Sequence, residues 1–530
     1  MRQYIGTAAA PGLAQANIVW YAPPAPDAAC QGTPEQELAR FRAARSACLS
    51  RQQQLYEQAL AQAGKEAAAI FELHAMLLQE DLEEYVQPHI ARGESAADAA
   101  RRGMADLAEL FRALDDDYMR QRSEDMLELG QELAAEITGG GQTPVLTQPA
   151  ILAAEELFPG QAVGLSKTFL QGVVLRRGGA QSHMAILARS MGIPLLFCPD
   201  AAPDWNGHSA ILNAAAGTLT LDPDESTLAA HTRAAAALAQ EAAQLQAYRG
   251  LPTQTAAGHT VRLLANIGGT GDLPALSASD AEGVGLMRSE FLYLDSPDWP
   301  DENAQYAAYA AAAAALPGKT ITVRTFDLGA DKTAPYMQIP PCANPALGCR
   351  GLRFGLQNPG LLKTQLRAIL RAAVSAPMAV MFPLVCTPAE LDSALALLEE
   401  CRQQLAAQQI PFGKVLIGCM IETPAAVLYA AELARRCQFL SIGTNDLHQY
   451  TFAADREGTP LYAPDDPALL RLIGFTVQTG HDAGCRVNVC GQLAADPAAV
   501  KALIALGVDG LSVPPGQVLP LRRYIRTLEI

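Results

Sequence analysis

The sequence predicts an α/β protein of several domains with a (β/α)8 barrel in its C-terminal half. At 530 residues the chain is too long for one ordinary hydrophobic core. After Thr260, about eight apolar strand-like runs alternate with helical stretches over roughly 270 residues, as in such a barrel. An open doubly wound sheet is the structural alternative. The runs are Val261–Ile267, Gly283–Leu286, Thr320–Phe326, Met378–Val385, Val415–Ile421, Phe439–Ile442, Val487–Cys490 and Gly510–Val513.

Composition restricts the kinds of partner. Half of the residues are hydrophobic and 18% are charged, which is typical of a globular protein. The formal net charge of −16 argues against nucleic acid and anionic membranes, but it leaves room for a basic protein partner. The 11 cysteines include no CxxC pair and no zinc-like spacing, which favours reduced thiols in the cytosol.

The sequence contains no predicted export signal or membrane span. Its beginning, MRQYIGTAAAPGLAQA, lacks the apolar core of a signal peptide. The longest alanine-rich run, Ala307–Leu316, is too short and too weakly apolar to cross a bilayer. We therefore expect a soluble cytoplasmic protein without membrane insertion.

Changes in composition and periodicity predict the domain boundaries. A strand-like run, Ala16–Tyr21, is followed by a long helical region rich in Ala, Glu, Gln and Leu, and then by short β-rich segments. Residues 225–250 form one continuous helical stretch that ends in a Gly-Leu-Pro breaker, as expected for a linker helix. The predicted domains are 1–24 together with 140–224 (α/β), 25–139 (inserted helical subdomain), 225–250 (linker) and 251–530 (barrel).

The inserted helical subdomain is predicted to contain about four helices, with breaks near Gly64, at Gln87–Pro88 and at Gly93. Between Glu66 and Glu84 it carries six acidic residues and no Lys or Arg. One interpretation of this run is a solvated helix face. The other is a docking surface for a basic protein.

A histidine stretch in the α/β domain is the first candidate site. Ser182 is a good helix N-cap, which would place His183 in the first turn of a helix, where free N–H groups favour a bound phosphate. Gly178 and Gly179 would let the backbone approach a ligand closely. A buried histidine capping a loop is the alternative. Two apolar runs before the histidine predict strands: Ala162–Leu165 and Gly172–Leu175.

Polar residues at the ends of the barrel strands form the second candidate site. In (β/α)8 barrels the chemistry lies at the C-terminal ends of the strands, and here five such ends are polar. Arginine binds phosphate and carboxylate bidentately, and one or two carboxylates commonly hold Mg²⁺. Helix capping is the alternative role of such residues. The segments are Arg288–Glu290, Arg324–Asp327, Glu422–Pro424, Gly443–Asp446 and Cys490–Gln492.

The motifs, in their order, resemble a known family. They are Gly178-Gly-Ala-Gln-Ser-His183 with Ala188-Arg189, Gly285–Leu292, Val323–Asp327, Asn344–Arg350, Met420–Ala426, Phe439–Arg456 and Val489–Gly491. Over nearly its whole length the chain resembles enzyme I of the phosphoenolpyruvate-dependent sugar phosphotransferase system. The resemblance implies a swivelling phosphohistidine α/β domain beside the (β/α)8 barrel. It also implies that the helical subdomain binds the phosphocarrier HPr. The related dikinases and synthases carry a large nucleotide-binding domain, for which there is no room before Arg176.

The reaction that the resemblance implies is transfer of the phosphoryl group from phosphoenolpyruvate to His183 and then to a histidine of HPr, with release of pyruvate, as the first step of sugar uptake. A neutral imidazole is a competent nucleophile near pH 7. Arg288 and Arg324 would clamp the phosphoryl oxygens. Asn445 and Arg456 would hold the rest of the substrate.

The remaining roles implied by the resemblance concern the metal ion and the proton. Glu422 and Asp446 would ligate Mg²⁺, and Asp446 would also contact substrate. Cys490 would protonate the enolate carbon, whereas a buried strand cysteine is the alternative without the motif. Arg350 also matches a family arginine that contacts phosphate. Family members form homodimers through the barrel, and the linker would let the histidine domain swing between donor and acceptor.

Several positions depart from the family pattern. Gln181 replaces a threonine before Ser-His, His448 replaces a common threonine, Cys349 replaces an aromatic residue, and Gln492 replaces the glutamate of Cys-Gly-Glu. An active phosphotransferase is the favoured hypothesis because all the residues of the donor chemistry are present. A non-catalytic descendant that binds and regulates a carrier protein is the second.

Overall fold

The chain folds into two compact units, residues 1–239 and 240–530. This description rests on a computed structural model. The structure describes residues 1–22, 32–63, 65–80, 82–112, 117–139, 144–165, 168–179, 182–294, 296, 298–329, 332, 334, 336–337, 339, 342–454 and 466–530. In the described part of the chain, no helix is both long enough and apolar enough to cross a membrane.

The first unit contains a helical subdomain with a core of its own. Its described residues form five helices, where about four were expected. The predicted break at Gln87–Pro88 is wrong, because Pro88 lies inside the third helix. Proline removes one intrahelical hydrogen bond, but buried Val86 and Ile90 pack into the subdomain core and hold the helix together. The helices are α1 (Pro34–Ala63), α2 (Lys65–Gln79), α3 (Glu83–Ala91), α4 (Ala96–Arg112) and α5 (Asp117–Ile137).

An eight-stranded mixed sheet forms the rest of the first unit, in the order β1-β8-β7-β3-β4-β5-β6-β2. The pairs β3–β4, β4–β5 and β5–β6 are parallel, and the flanking pairs are antiparallel. The strands are β1 (Arg2–Ile5), β2 (Thr7–Ala10), β3 (Leu13–Tyr21), β4 (Ala150–Ala154), β5 (Leu170–Leu175), β6 (Leu195–Phe197), β7 (Ser209–Asn213) and β8 (Thr218–Leu221). Two short helices accompany them, α6 (Pro159–Val163) and α7 (His183–Met191).

The expected strand at Ala162–Leu165 is wrong, because α6 occupies its first half. Pro159 stands in the first turn, where its fixed φ and missing N–H suit a helix start. The Gln161 side chain accepts a hydrogen bond from the Phe158 backbone N–H at 3.1 Å. A short apolar run does not distinguish a buried strand from a buried helix turn, and the proline and this local cap favour the helix.

The second unit is a closed barrel of eight parallel strands, in the order β9 to β16 around the ring, so the (β/α)8 prediction is confirmed and the open sheet is excluded. Helix α8 (Glu225–Gln246) leads into it. The strands are β9 (Arg262–Ile267), β10 (Val284–Met287), β11 (Ile321–Arg324), β12 (Met378–Phe382), β13 (Val415–Ile421), β14 (Phe439–Ile442), β15 (Arg486–Val489) and β16 (Gly510–Val513). The helices are α9 (Leu273–Ala278), α10 (Phe291–Leu294), α11 (Glu302–Ala315), α12 (Leu352–Gln357), α13 (Pro359–Ala372), α14 (Pro388–Ala407), α15 (Pro424–Leu428), α16 (Ala430–Ala434), α17 (Thr444–Phe452), α18 (Pro467–Asp482), α19 (Pro497–Ala505) and α20 (Val518–Ile525).

Alternation along each strand separates the barrel interior from the shell of helices. On β15, Val487 and Val489 belong to the large core under the helices. Cys490, which directly follows this strand, belongs instead to a small interior cluster with Met420 and Phe439. This two-residue period carries polar side chains into the barrel at both of its ends.

Arg522 on α20 links the last helix to the first part of the unit through hydrogen bonds and an ion pair. Its guanidinium is 2% exposed, donates to Thr253 Oγ1 at 3.0 Å and to the Tyr248 carbonyl at 3.1 Å, and forms an ion pair with Asp280. Asp280 also accepts from the Gly250 N–H at 2.8 Å. One buried cation thus joins the segment after α8, the turn before β10 and the final helix.

We expect Arg522→Ala to lower the free energy of unfolding by about 3 kcal/mol, because it leaves a partly buried carboxylate without its cation. Urea unfolding at pH 7, followed by circular dichroism, measures the change. The control is Arg526→Ala, which removes a partly exposed arginine that donates to the Pro252 carbonyl and should change stability by about 0.5 kcal/mol or less.

The destabilisation should shrink on acidification. Burial raises the pKa of Asp280, but the Gly250 N–H and Arg522 lower it more, so its pKa lies below the ordinary value. A depressed carboxyl pKa contributes stability that is present above the unfolded pKa, about 4, and is lost as pH falls through the folded pKa. A wild-type minus Arg522→Ala difference that grew between pH 5 and pH 3 would contradict this assignment.

Candidate active site

A network of buried charges lies at the C-terminal ends of β10 and β11. Arg324 is 6% exposed, and its Nη2 lies 3.0 Å from Glu290 Oε1 and 3.7 Å from Asp327 Oδ2. Asp327 also accepts two hydrogen bonds from Arg350, from Nε at 3.2 Å and from Nη2 at 2.7 Å. Lys332 Nζ lies 2.7 Å from the same carboxylate. Three cations therefore surround Asp327, and Arg324 is held between two carboxylates.

The network keeps its members charged. Burial raises the pKa of Asp327, but Arg324, Lys332 and Arg350 lower it more, so the net shift is well below the usual range. Burial alone would lower the pKa of Arg324, but the carboxylates of Glu290, Asp327 and Glu422 raise it above its ordinary value. Among the described residues the buried Nε–H of Arg324 has no hydrogen-bond partner, so it remains available to an anion.

The other two predicted arginines of the barrel differ in exposure. Arg288 directly follows β10 and is exposed, with its backbone N–H bonded to the Ile267 carbonyl at 3.0 Å. Arg350 is 3% exposed and directs two donors at Asp327. In this structure Arg350 supports the charge network, whereas the side chain of Arg288 is exposed.

Glu422 and Asp446 form the second half of the barrel site. Glu422, directly after β13, is 1% exposed and accepts the Leu384 N–H at 2.7 Å through Oε1. Asp446 lies in the first turn of α17 and is 7% exposed. Burial and the negative charge of Asp446 raise the pKa of Glu422 to about 8. A side chain at Gly443 would place its Cβ 2.6 Å from Glu422 Oε2, so glycine leaves room for this carboxylate.

This carboxylate pair fits a divalent cation of the Mg²⁺ type. Two buried carboxylates that repel each other are stabilised by a cation between them, and hard oxygen donors suit Mg²⁺. Within the described residues, no group of three or more His, Cys, Asp or Glu side chains could hold a metal ion. The protein would therefore supply two ligands, with water and substrate oxygens completing the coordination, as is usual for Mg²⁺.

Cys490 and Asn445 lie at the ends of neighbouring strands. Cys490 is 3% exposed, with Sγ 3.6 Å from the Ile442 carbonyl, and burial raises its pKa to about 11. Its thiol is therefore protonated at neutral pH. Asn445 Oδ1 accepts a hydrogen bond from the Gln492 backbone N–H at 2.9 Å. This contact involves only the backbone of residue 492, so it does not depend on the replacement of the family's glutamate by Gln492. Arg456 lies outside the residues that the structure describes.

His183 belongs to the first unit, where the predicted helix start is confirmed. Ser182 has an extended backbone, and its Oγ accepts the Ala185 N–H at 3.4 Å. His183 is the first residue of α7 and is about a third exposed, at 34% for its side chain. Its Nδ1 lies 3.6 Å from Asp125 Oδ1 and 3.6 Å from Glu128 Oε2. These distances are too long for hydrogen bonds, but two carboxylates favour the tautomer with its proton on Nδ1.

Asp125 and Glu128 are site residues that sequence reasoning missed. They lie three residues apart on α5, which places both on one helix face. Their sequence separation from the histidine leaves no periodic signal that joins them to it. An acidic i, i+3 pair on a helix otherwise looks like an ordinary solvated face.

The two glycines before the histidine play different parts. Gly178 has φ +130°, and a Cβ there would lie 2.2 Å from the Phe197 ring. Glycine is therefore required here by the packing of Phe197 and by the positive φ. Apart from its chain neighbours, no described residue has an atom within 4 Å of where a Cβ at Gly179 would lie, which is compatible with the predicted open approach. Gln181 lies outside the described residues.

Comparison with known proteins adds three matching family models. They are the PEP-utilising enzyme N-terminal domain (residues 5–122), mobile domain (146–225) and PEP-binding domain (242–530). Phosphoenolpyruvate-protein phosphotransferases of Bacillus sp. (strain S) and Geobacillus stearothermophilus are each 34% identical to this chain, over 99% of it and 93% of their own length. The Staphylococcus carnosus protein of that name is 33% identical, over 93% of this chain and 88% of its own.

We expect Asp125→Asn combined with Glu128→Gln to shift the neutral His183 ring from the Nδ1–H toward the Nε2–H tautomer, since the negative charges facing Nδ1 are gone. Long-range ¹⁵N–¹H spectra of the histidine-labelled full chain measure the tautomer. His208, whose Nδ1 lies 2.8 Å from Asp222, is the internal control and should not change. An unaltered His183 tautomer would show that the two carboxylates do not set it.

Proposed function

The chain belongs to the PEP-utilising enzymes, and we propose that it is a phosphotransferase that moves the phosphoryl group of phosphoenolpyruvate to His183 and then to a histidine of the phosphocarrier HPr. Pyruvate is the other product, and the reaction is the first step of sugar uptake by the phosphotransferase system. The observation that carries this proposal is the charged mouth of the barrel, where a buried arginine with a free donor faces a pair of carboxylates suited to Mg²⁺.

In the first step the Nε2 lone pair of His183 attacks phosphorus. The bond from phosphorus to the enol oxygen breaks, and its electron pair leaves with the enolate. The position of Asp125 and Glu128 beside Nδ1 supports Nε2 as the nucleophile, because it keeps the proton on the other nitrogen. Arg324 and Arg288 stabilise the charge on the phosphoryl oxygens during transfer.

Glu422 and Asp446 are the residues that would hold Mg²⁺. The bound ion would neutralise charge on the phosphoryl and enolate oxygens. Asn445 and Arg456 are assigned to the substrate carboxylate, and Arg350 to holding Asp327 in place beside Arg324. In each case the support is the family pattern together with the position of the described residues at one end of the barrel.

Cys490 is the proton donor to the enolate. Its thiol proton goes to the terminal carbon, which becomes the methyl group of pyruvate, and the thiolate is later reprotonated from solvent. The raised thiol pKa, about 11, keeps the acid form populated at neutral pH. The position of Cys490 beside the interior cluster of the barrel restricts delivery to one face of the enolate.

The proposed division of labour follows the domains predicted from sequence. Residues 1–24 with 140–224 carry the phosphohistidine, residues 25–139 bind HPr, and residues 251–530 bind phosphoenolpyruvate. The donor arginines and His183 belong to different structural units, and the proposed reaction requires His183 to visit both the barrel mouth and HPr. We assign that movement to the linker at 225–250, which α8 dominates.

The HPr-binding face is assigned to the acidic side of α2 and α3. Glu72, Glu80 and Glu84 are exposed there, and Met76, 58% exposed, adds an apolar centre. Acidic residues around an exposed methionine suit a basic carrier with an apolar contact. Glu83 does not contribute, because both of its oxygens bind Arg42, at 2.7 and 2.6 Å.

A homodimer through the barrel and a cytoplasmic location complete the proposal. Large apolar side chains are exposed on neighbouring barrel helices, namely Leu428 (77%), Tyr429 (43%) and Phe475 (50%), and such a patch is typical of an interface. The ten described cysteines are all unpaired thiols, which suits a reducing compartment.

The proposal predicts a phosphoryl adduct that is labile to acid. Incubation of the full chain with phosphoenolpyruvate and Mg²⁺ should add one phosphoryl mass, and His183→Ala should abolish it. His208→Ala, in the same unit, is the matched control and should retain the adduct. Absence of an adduct on the wild-type protein in intact-mass spectra would overturn the transferase and leave a non-catalytic carrier-binding protein.

Replacing Cys490 should affect the stereochemistry of the product more than the phosphorylation of His183. We expect Cys490→Ala to slow pyruvate formation on the enzyme by about 10²–10⁴-fold. Enolate released unprotonated takes its proton from water on either face, so chirally labelled phosphoenolpyruvate in deuterated water should give a racemic methyl group. The control is Cys485→Ala, at the other end of the same strand. Retained chirality in Cys490→Ala would rule Cys490 out as the proton donor.

A further inference from the structure

The N-terminal mouth of the barrel, at the opposite strand ends from Arg324 and Cys490, contains a cavity of about 150 Å³. The inward-facing positions at the start of several strands are polar, although this end of such barrels usually serves stability alone. On β15 the two-residue period that directs Cys490 inward also directs Arg486 and Asn488 inward. The polar lining residues are Arg262, Thr320, Thr322, Gln438, Arg486 and Asn488.

Two arginines in this cavity lack partners. Among the described residues neither Arg262 nor Arg486 has a side-chain hydrogen bond or an ion pair. Burial and the positive charge of Arg486 lower the pKa of Arg262. The nearby carboxylates accept backbone N–H groups and not the two arginines: Glu282 accepts the Leu263 N–H at 3.2 Å, and Asp509 accepts the Val487 N–H at 2.7 Å. The negative charges of Glu282 and Asp509 raise the pKa of Arg262, but burial and Arg486 lower it more, so the repulsion between the two guanidinium groups is only partly offset.

We propose that this cavity binds a small dianion of the inorganic phosphate type between Arg262 and Arg486. Two arginine forks match the oxygens of a tetrahedral dianion and balance its charge. The hydroxyl groups of Thr320 and Thr322 and the amide of Asn488 supply further donors to the same cavity. The small volume admits one such ion and excludes a nucleotide.

This site is separate from the catalytic mouth and does not rest on the proposed function. Phe439 and Ala379 line the cavity and also belong to the apolar interior cluster that contains Cys490, so apolar side chains lie between the two ends. Because the dianion removes the repulsion between the arginines, it stabilises the barrel by binding only the folded state.

Thermal unfolding of the full chain, with inorganic phosphate against chloride at equal ionic strength, tests the proposal. We expect phosphate to raise the midpoint of the wild-type barrel transition. Arg486→Gln should raise this midpoint in phosphate-free buffer, because the repulsion is gone, and should lose most of the phosphate-dependent rise. Arg262→Gln should behave alike. Arg435→Gln, which removes an exposed arginine of the same unit, should change neither quantity.

Titration calorimetry separates this site from the catalytic arginines. Arg288→Gln should leave the affinity of the N-terminal cavity for phosphate unchanged. The double variant Arg288→Gln/Arg486→Gln should bind phosphate about tenfold or more weakly than Arg288→Gln does. Acetate should give little stabilisation at the same concentration. Equal phosphate-dependent rises in wild type and in both cavity variants would overturn the proposal. So would equal effects of acetate and phosphate, or an unchanged affinity in the double variant.

Discussion

The buried arginine at the end of β11 is the constraint on which the catalytic end of the barrel depends. An unpaired guanidinium at 6% exposure would be strongly destabilising. Arg324 is tolerated because Glu290 and Asp327 lie beside it, and Asp327 is tolerated because Arg350 and Lys332 approach from the loop after the strand. These groups come from separate segments of the chain. Pairing of β10 with β11 is therefore what brings Glu290 to Arg324, and it places fixed charges where the proposed reaction needs to stabilise a phosphoryl group.

The carboxylates of this mouth divide into two kinds. Burial raises the pKa of both Asp327 and Glu422, yet three cations reverse the effect at Asp327, whereas Asp446 adds to it at Glu422. Asp327 is consequently a permanent anion that holds arginines in place. Glu422 and Asp446 form a pair that a bound cation would complete. One half of the mouth is thus organised by the protein alone, and the other half is left for an external ion.

Sequence reasoning recovered the features that have a local or periodic signal. All eight barrel strands were predicted because apolar runs recur between helices, and the helix start at His183 was predicted because Ser182 is a local cap. It failed where contacts between residues distant in sequence determine the structure. Pro88 stays inside a helix because the core holds both sides of it. The carboxylates beside His183 come from α5, and the Asp327 partner Arg350 comes from a loop; neither pairing has a sequence period that could reveal it.

Strand β15 directs side chains into the barrel near both of its mouths. Arg486, Asn488 and Cys490 follow one another at a spacing of two on the inner side, while Val487 and Val489 face the helices. A deletion of one residue between Arg486 and Cys490 would put these two side chains on opposite faces of the strand, because successive side chains alternate. Substitution can therefore change the three side chains one at a time, whereas a one-residue deletion or insertion between them would separate the two ends. Cys490, the proposed proton donor, and the distant Arg486 thus depend on one uninterrupted alternation along a single strand.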